Sequence, residues 1–181
     1  MEGYTGLVSR LIRCLNDSSL DYAFTGALAV SYYGAPRTTS DVDLLVAVSR
    51  LRVDKAKILE TLRCAGLKAD DPQIDRALTS GFNIASFEDE SSPYSVDVIF
   101  STDRFEKRLG SVVGLSTFLQ LPEDLIAAKL RMIRATLSSE AAMKDMGDIK
   151  SILLFTTVDL EAVRVKAVRD GTLDILDDLL Q

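Results

Sequence analysis

The spacing of apolar residues changes at Pro122, and this change constrains the fold more than any other feature of the chain. Before Pro122, short strand-like runs alternate with helical stretches, whereas after it apolar residues recur only at helical spacing. The sequence therefore predicts an α+β (α/β) core over residues 1–120, in which helices flank a small mixed or antiparallel sheet. It also predicts a C-terminal helical unit over residues 121–181, packed on that core.

Spacing and turn residues predict the individual elements. Helices are predicted over residues 4–15, 27–33, 54–64, 72–78, 103–109, 122–137, 145–155, 159–169 and 173–180. Strands are predicted over residues 21–25, 41–48, 82–87 and 94–100, with a further short strand within 112–119. The polar segment 88–93 predicts a hairpin between the strands on either side of it.

The composition excludes several classes of catalyst. The 181 residues include no histidine, so the chain cannot form a Ser-His-Asp triad, a Cys-His pair or a histidine-ligated zinc site. Catalysis would have to use carboxylates, lysines, hydroxyls, backbone amides or a metal held by oxygen ligands. The net charge is −6 and the sequence pI is about 4.7, which argues against nucleic-acid binding through bulk charge.

The cysteines and the first residues predict a cytoplasmic protein. Cys14 and Cys64 lie in apolar periodic stretches, so we interpret them as small core residues in a reducing compartment rather than as a disulfide. The segment 1–4 lacks the basic residues that begin a secretory signal. No apolar run approaches the roughly 20 residues that span a bilayer, so no membrane partner is expected.

Two acidic residues begin the most apolar of the predicted strands. Asp41 and Asp43 are at positions i and i+2, so their carboxylates should point to the same face. Two ionised carboxylates that close repel each other, and a divalent cation such as Mg²⁺ removes that cost. Asp97 is the only charge in the strand 94–100. If that strand pairs beside the first, three carboxylates could hold two Mg²⁺ ions for phosphoryl or nucleotidyl transfer.

Gly26 lies at the turn between a predicted strand and a short predicted helix. Glycine permits close approach of the backbone, and the amides that open the helix could bind phosphate. Each feature alone has a structural alternative: an Asp-x-Asp at a strand start, a turn glycine, or an edge-strand acid at Asp97. Their combination in this order and spacing favours a functional site.

These motifs resemble the nucleotidyltransferases of the DNA polymerase beta superfamily. The resemblance is carried by Thr25-Gly26-Ala27-Leu28-Ala29-Val30 and by Gly34-Ala35-Pro36-Arg37-Thr38-Thr39-Ser40-Asp41-Val42-Asp43-Leu44. Both stretches are similar to minimal members such as the AbiEii-like nucleotidyltransferases of toxin–antitoxin systems, and segments 121–130 and 144–149 resemble helical motifs of the same group. The resemblance implies that group's fold and a Mg²⁺-dependent transfer of NMP from an NTP, such as ATP, to an acceptor hydroxyl.

The resemblance also implies roles for individual residues. The implied catalytic metal ligands are Asp41, Asp43 and Asp97, and Asp97 could also act as the base for the acceptor hydroxyl. The implied nucleotide-binding residues are Gly26, Ala27, Arg37, Thr38 and Lys129. For Lys129 the alternative is an exposed helix lysine. Asp145 and Asp148 would lie near the site, although helix capping explains Asp145 equally well.

Ala27 departs from the family pattern, which has glycine or serine at this position, and the departure removes a hydroxyl that could contact phosphate. Three functions therefore remain open. The first is an active transferase whose acceptor is RNA, a protein side chain or a small molecule, with an antitoxin protein as partner if the chain is a toxin. The second is a nucleotidyltransferase-fold binding module that has lost turnover. The third is a helical interaction protein that docks a partner through the leucine-rich segment 173–180, for which packing on the chain itself is the alternative.

Overall fold

The computed structural model describes residues 3–48, 51–79, 81, 83–136 and 139–181, without the side chains of residues 51–53. By their contacts the residues form two compact units. One consists of Met1–Leu28 and Thr38–Gln120, and the other consists of Ala29–Arg37 and Leu121–Gln181. The predicted division at residue 120 stays a prediction, and the contacts group residues 29–37 with the C-terminal helices.

The first unit is built from a sheet and its helices. Its strands are β1 (Tyr22–Phe24), β2 (Asp41–Ala47), β3 (Ile84–Glu88), β4 (Ser95–Ser101), β5 (Lys107–Val112) and β6 (Leu115–Gln120). Its helices are α1 (Tyr4–Asp17), the first turn of α2 (Gly26–Tyr33), α3 (Leu51–Cys64) and α4 (Asp71–Thr79). Phe82, where the third strand was predicted to begin, lies outside the described residues.

The strand order in the sheet is β3-β4-β2-β1-β6-β5. Strand β2 runs parallel to β4 and β1 runs parallel to β6, whereas the remaining neighbours are antiparallel. The sheet is therefore mixed, which confirms the predicted fold class. The hairpin predicted around residues 88–93 is present as β3 and β4.

One face of the central strands forms the core of the first unit. Along β2 and β4 the buried side chains alternate with partly exposed ones, and the buried set is Val42, Leu44, Val46, Val96, Val98 and Phe100. Burial of each such side chain contributes about 1.5–3 kcal/mol. A shift of one residue would turn all of them outward, so the apolar residues determine which face the acids between them occupy.

The helix predicted over residues 103–109 is wrong. Residues Lys107–Val112 form β5, an edge strand that pairs antiparallel with β6. No β5 residue is buried and three of the six are exposed, so the segment lacks the apolar alternation by which a half-buried strand is recognised in a sequence. Strand β6 confirms the short strand predicted within residues 112–119.

The prediction of two separate core thiols is also wrong. Cys14 of α1 and Cys64 of α3 form a disulfide, with Cys64 exposed and Cys14 partly exposed. Helices α1 and α3 contact each other, which brings two residues that are 50 apart in sequence to a Cα separation of 6.0 Å. The prediction of a reducing compartment depended on unpaired thiols and loses that support.

The second unit contains the helices α5 (Pro122–Ala135), α6 (Glu140–Phe155), α7 (Leu160–Asp170) and α8 (Leu173–Leu180). Leu137, the predicted end of the first of them, lies outside the described residues. Helix α6 begins earlier than predicted, because the Ser139 hydroxyl accepts a hydrogen bond from the Ala142 amide at 3.1 Å. Asp145 therefore lies inside the helix, and the capping interpretation of this residue is wrong.

Helix α8 contacts α5 and α7. Its side chains Ile175 and Leu176 are buried, which favours packing of the segment 173–180 on its own unit over docking to a partner. Among the described residues, no helix combines the length and the apolar character that crossing a membrane requires.

Candidate active site

Strand β2 presents its two acids on the partly exposed face of the sheet. Asp41 and Asp43 alternate with the buried residues Val42 and Leu44, as the i, i+2 spacing predicts. The apolar residues between them are held in the core, so the orientation of the two carboxylates follows from the packing of their neighbours.

Strand β4 places the third acid beside the second. In the parallel pairing of β2 with β4, the register partner of Asp43 is Asp97. Asp97 alternates with the buried residues Val96 and Val98, so it shares the partly exposed face. Neighbouring strands lie about 4.8 Å apart, which makes the two carboxylates close neighbours on one surface.

Gly26 lies directly against Asp43. The Gly26 backbone has a φ of +54°, and a Cβ atom at this position would overlap the Asp43 carboxylate and lie 2.8 Å from Asp43 Cβ. In addition, the Thr25 amide donates a hydrogen bond to the Asp43 carbonyl oxygen at 3.0 Å. Glycine is therefore required here both by conformation and by space, and the turn that opens α2 is packed on a candidate catalytic acid.

Two residues that the sequence did not point to surround Asp41. The Thr39 hydroxyl donates a hydrogen bond to Asp41 Oδ1, and the Tyr4 hydroxyl donates to the Asp41 carbonyl oxygen at 3.4 Å. The Tyr4 ring also makes an edge-to-face contact with Tyr94, with 5.5 Å between ring centroids. The hydroxyl of Thr39, two residues before the acid, was the only available signal, because Tyr4 belongs to α1 and is 37 residues before Asp41 in the chain.

The donor chemistry of this face suits a hard cation, since carboxylate oxygens are the ligands that Mg²⁺ prefers. The side-by-side register of Asp43 and Asp97 supports a shared ion at that pair. Within the described residues, however, His, Cys, Asp and Glu side chains nowhere gather in threes as a metal-binding group. The set of Asp41, Asp43 and Asp97 thus remains a prediction as a three-carboxylate site.

The predicted nucleotide-binding residues of the first unit have different surroundings. Ala27 is 2% exposed, so its methyl group belongs to the core and only its backbone could reach a phosphate. Thr38 is exposed in the segment before β2. Thr25, just before the glycine, donates its hydroxyl hydrogen to Gln120 Oε1 at 2.5 Å, which ties the turn to the end of β6.

The other two predicted nucleotide-binding residues belong to a charged cluster in the second unit, here called the Asp148 cluster: Arg37, Lys129, Asp145 and Asp148. Arg37 Nε lies 3.1 Å from Asp148 Oδ1, and Lys129 Nζ lies 2.6 Å from Asp148 Oδ2. Lys129 Nζ is also 2.7 Å from Asp145 Oδ1. Lys129 is 7% exposed, which contradicts the interpretation of an exposed helix lysine.

Comparison with known proteins supports the fold. No protein-family model matches the chain. No curated protein matches it either. Among solved structures, an antigenic nucleotidyltransferase-like protein from Paracoccidioides brasiliensis is similar with a TM-score of 0.61 and 14% identity, over 99% of this chain and 94% of that chain.

The antibiotic-resistance factor ANT(2″)-Ia is similar in two structures. In complex with adenylyl-2″-tobramycin it has a TM-score of 0.64 and 12% identity, over 92% of this chain and 96% of that chain. In solution it has a TM-score of 0.61 and 11% identity, over 96% of this chain and 95% of that chain. These identities are low, so the likeness bears on the backbone arrangement alone. The mixed sheet with its flanking helices is the nucleotidyltransferase fold.

Proposed function

We propose that this protein is a Mg²⁺-dependent nucleotidyltransferase that moves NMP from an NTP to an acceptor hydroxyl. The observation that carries the proposal is the placement of Asp43 beside Asp97 on β2 and β4, with the Gly26 turn packed on Asp43, in a chain of nucleotidyltransferase fold. This arrangement combines carboxylates with a close-approach glycine and a helix N-terminus, which together suit a metal-bound polyphosphate.

In this proposal Asp41, Asp43 and Asp97 hold the metal, with two ions as the expected number. Bound Mg²⁺ would supply charge neutralisation at the phosphate oxygens. The backbone around Gly26 lets the phosphates approach, while the pairing of β2 with β4 keeps Asp43 and Asp97 in register. Thr39 holds the Asp41 carboxylate through its hydroxyl.

The chemical step is a substitution at the α-phosphorus. The acceptor oxygen forms a bond to that phosphorus, the bond from phosphorus to the pyrophosphate oxygen breaks, and the acceptor proton passes to the Asp97 carboxylate. Asp97 suits this role because, among the described residues, it makes no ion pair that would hold its charge. A carboxylate with open acceptor positions can take a proton from a hydroxyl within hydrogen-bond reach.

The acceptor is RNA, a protein side chain or a small molecule. The complex of ANT(2″)-Ia with adenylyl-2″-tobramycin concerns that protein, and it supports a small molecule as the first acceptor class to test here. The motif resemblance supports a toxin of a toxin–antitoxin pair, with an antitoxin protein as partner. The cytoplasmic location stays a prediction, and the unpaired thiols no longer support it.

Labelled NTPs test the transfer directly. Wild type and Asp43→Ala are incubated with each α-labelled NTP, Mg²⁺ and acceptor pools of RNA, protein and hydroxylated small molecules. Removal of Asp43 should lower transfer by at least about 1000-fold, because it removes a metal-holding charge. Asp75→Ala is the matched control, since Asp75 makes an exposed ion pair with Lys55. Equal label transfer by wild type and Asp43→Ala would overturn the proposal.

A binding module without turnover is the second candidate. Two observations favour it: the buried Ala27 methyl group where the family has glycine or serine, and the lack of a gathered three-acid group among the described residues. This candidate predicts that an NTP with Mg²⁺ raises the melting temperature while no acceptor pool becomes labelled. Measurable transfer by the wild type would exclude it.

A further inference from the structure

The segment that leads into β2 is fastened to α6 within the second unit. The Ala35 amide donates a hydrogen bond to Ser151 Oγ at 2.6 Å, and the Thr156 hydroxyl donates to the Tyr33 carbonyl oxygen at 2.6 Å. Gly34 lies so close to this helix that a Cβ atom would be 3.0 Å from the Ser151 carbonyl carbon. Residues 33–35 therefore lie against the last two turns of α6 and the residue after it.

Asp148 continues this attachment at Arg37. The Arg37 atoms Nε and Nη1 are shielded from solvent and have no hydrogen bond of standard geometry among the described residues. Among the described residues, the charge of the Arg37 guanidinium is therefore compensated by its ion pair with Asp148, in which Nε lies 3.1 Å from Oδ1. The Arg37 side chain is 21% exposed, but removal of the Asp148 charge would leave its two shielded nitrogen atoms without a counter-ion, which is destabilising. We therefore expect Asp148 to keep Arg37 in place.

Lys129 pairs with the other carboxylate oxygen of Asp148. Its Nζ lies 2.6 Å from Asp148 Oδ2 and 2.7 Å from Asp145 Oδ1, and the lysine is 7% exposed. The Asp148 cluster therefore contains two cations and two carboxylates and is balanced in charge. A lysine that is buried between two carboxylates already has counter-ions, so a phosphate would have to compete with both of them.

We propose that Arg37, Asp148 and Lys129 are positioning residues, and that Lys129 acts through Asp148 rather than on a phosphate. Arg37 is four residues before Asp41 in the chain, and Thr39 between them donates a hydrogen bond to Asp41 Oδ1. The Asp148 cluster fastens the approach to β2 and thereby limits the conformations open to Asp41. The expected effect of these residues on the rate of transfer rests on the proposed function. The attachment of Arg37 and its neighbours to α6 does not depend on that function.

Trypsin tests the fastening without any assumption about activity. Cleavage between Arg37 and Thr38 requires this segment to leave α6, so its initial rate reports how often the segment opens. Asp148→Asn should raise that rate by about tenfold or more, measured by mass spectrometry of the native full chain with other cleavage sites as internal references. Asp124→Asn is the matched control, because Asp124 pairs with Lys166 in the same unit.

A milder variant covers the case in which Asp148→Asn does not fold. Ser151→Ala removes the oxygen that accepts from the Ala35 amide and leaves every charge in place, so it should raise cleavage at Arg37 by about threefold. Rates equal to wild type in the folded variants would overturn the fastening.

Kinetics separate positioning from phosphate contact. If Lys129 acts through Asp148, then Asp148→Asn and Lys129→Met lower kcat by about tenfold or more with little change in the KM for NTP, and Lys129→Arg restores kcat. If Lys129 contacts phosphate, Lys129→Met raises KM while Asp148→Asn leaves kcat intact, which would overturn the positioning role. Absence of transfer by the wild type would instead refute the proposed function, and the trypsin result on Arg37 would still stand.

Discussion

Asp89 and Asp97 are eight residues apart, yet the protein treats the two acids differently. Asp89 lies just after β3, is 4% exposed, and accepts hydrogen bonds from Arg10 Nη2 at 2.6 Å and from the hydroxyls of Ser91 and Ser92. Asp97 lies within β4, is partly exposed beside Asp43, and makes no ion pair among the described residues. Side chains of the protein neutralise the first acid, whereas among the described residues no cation pairs with the second.

The pKa of Asp89 shows which influence prevails at the buried acid. Burial raises the pKa of its carboxyl, but hydrogen bonds from Ser92, Arg10 and Ser91 outweigh that effect and hold the pKa below the ordinary value of 3.8. Arg10 also donates through Nε to the Ala65 carbonyl oxygen at 3.0 Å. Together, Arg10 and Asp89 therefore join α1, the end of α3 and the β3–β4 hairpin. Asp89 has a structural role because side chains of the protein donate hydrogen bonds to its carboxylate.

The largest expected effect concerns Asp97. Asp97→Asn keeps the shape of the side chain and removes its charge, so transfer should fall by at least about 1000-fold while the free energy of unfolding changes by less than about 0.5 kcal/mol. Urea denaturation and the labelled-NTP assay measure the two quantities. A stability loss comparable with that of Asp89→Asn would abolish the distinction between the two acids.

The disulfide is expected to have the next largest effect. It links α1, the helix that also carries Arg10, to α3. Replacing both Cys14 and Cys64 by serine removes a cross-link between residues 50 apart, which the loop-closure model values at about 4 kcal/mol. Urea denaturation of the double variant under oxidising conditions measures the loss. Wild type treated with a dithiol reductant should match the variant, and an unchanged midpoint in both would show that the link contributes nothing.

The loss of the Asp89 carboxylate should cost less than the disulfide. Asp89→Asn leaves Arg10 without its counter-ion, and because Arg10 is partly exposed we expect a destabilisation of about 2–3 kcal/mol. Transfer per folded molecule should remain close to that of wild type. Glu88→Gln provides the control. Glu88 directly precedes Asp89 in the chain, and its ion pair with Lys68 is exposed.

The smallest effect is the pH dependence that Asp89 produces. Its folded-state pKa is depressed, so the unfolded state binds more protons below about pH 4 and stability rises with pH through that range. The contribution is fully present above the unfolded pKa and is lost as the pH falls through the folded pKa. In Asp89→Asn the free energy of unfolding should depend less steeply on pH between about 2 and 4, and an unchanged slope would contradict the assignment.

Local patterns predicted the elements whose apolar residues face one core. The alternation around Asp41 and Asp43 identified β2 and its outward face, and the remaining predicted helices and strands are present because their spacing reflects burial in their own unit. Strand β5 was missed because it is an exposed edge whose partner is β6. No spacing within residues 103–112 records that pairing.

The candidate site divides in the same way. Residue type and spacing predicted Gly26, Asp43 and Asp97 as site residues, and this role stays a prediction. The steric reason for Gly26 lies 17 residues further along the chain at Asp43. The partners of Lys129 could not be inferred, because α5 and α6 bring Asp145 and Asp148 to it from 16 and 19 residues away. Salt-bridge partners on different helices leave no periodic signal in a single sequence.

By itself, the sequence determined which elements carry the acids and in what order they occur along the chain. This was possible because the spacing of apolar residues within a helix or strand is a local property that can be read in a short stretch of sequence. It also excluded imidazole chemistry through the absence of histidine. Only the tertiary structure decided that Asp43 lies beside Asp97, that Asp148 holds Arg37 and that Cys14 meets Cys64. Those contacts join residues distant in the chain, and the packing of whole elements selects them.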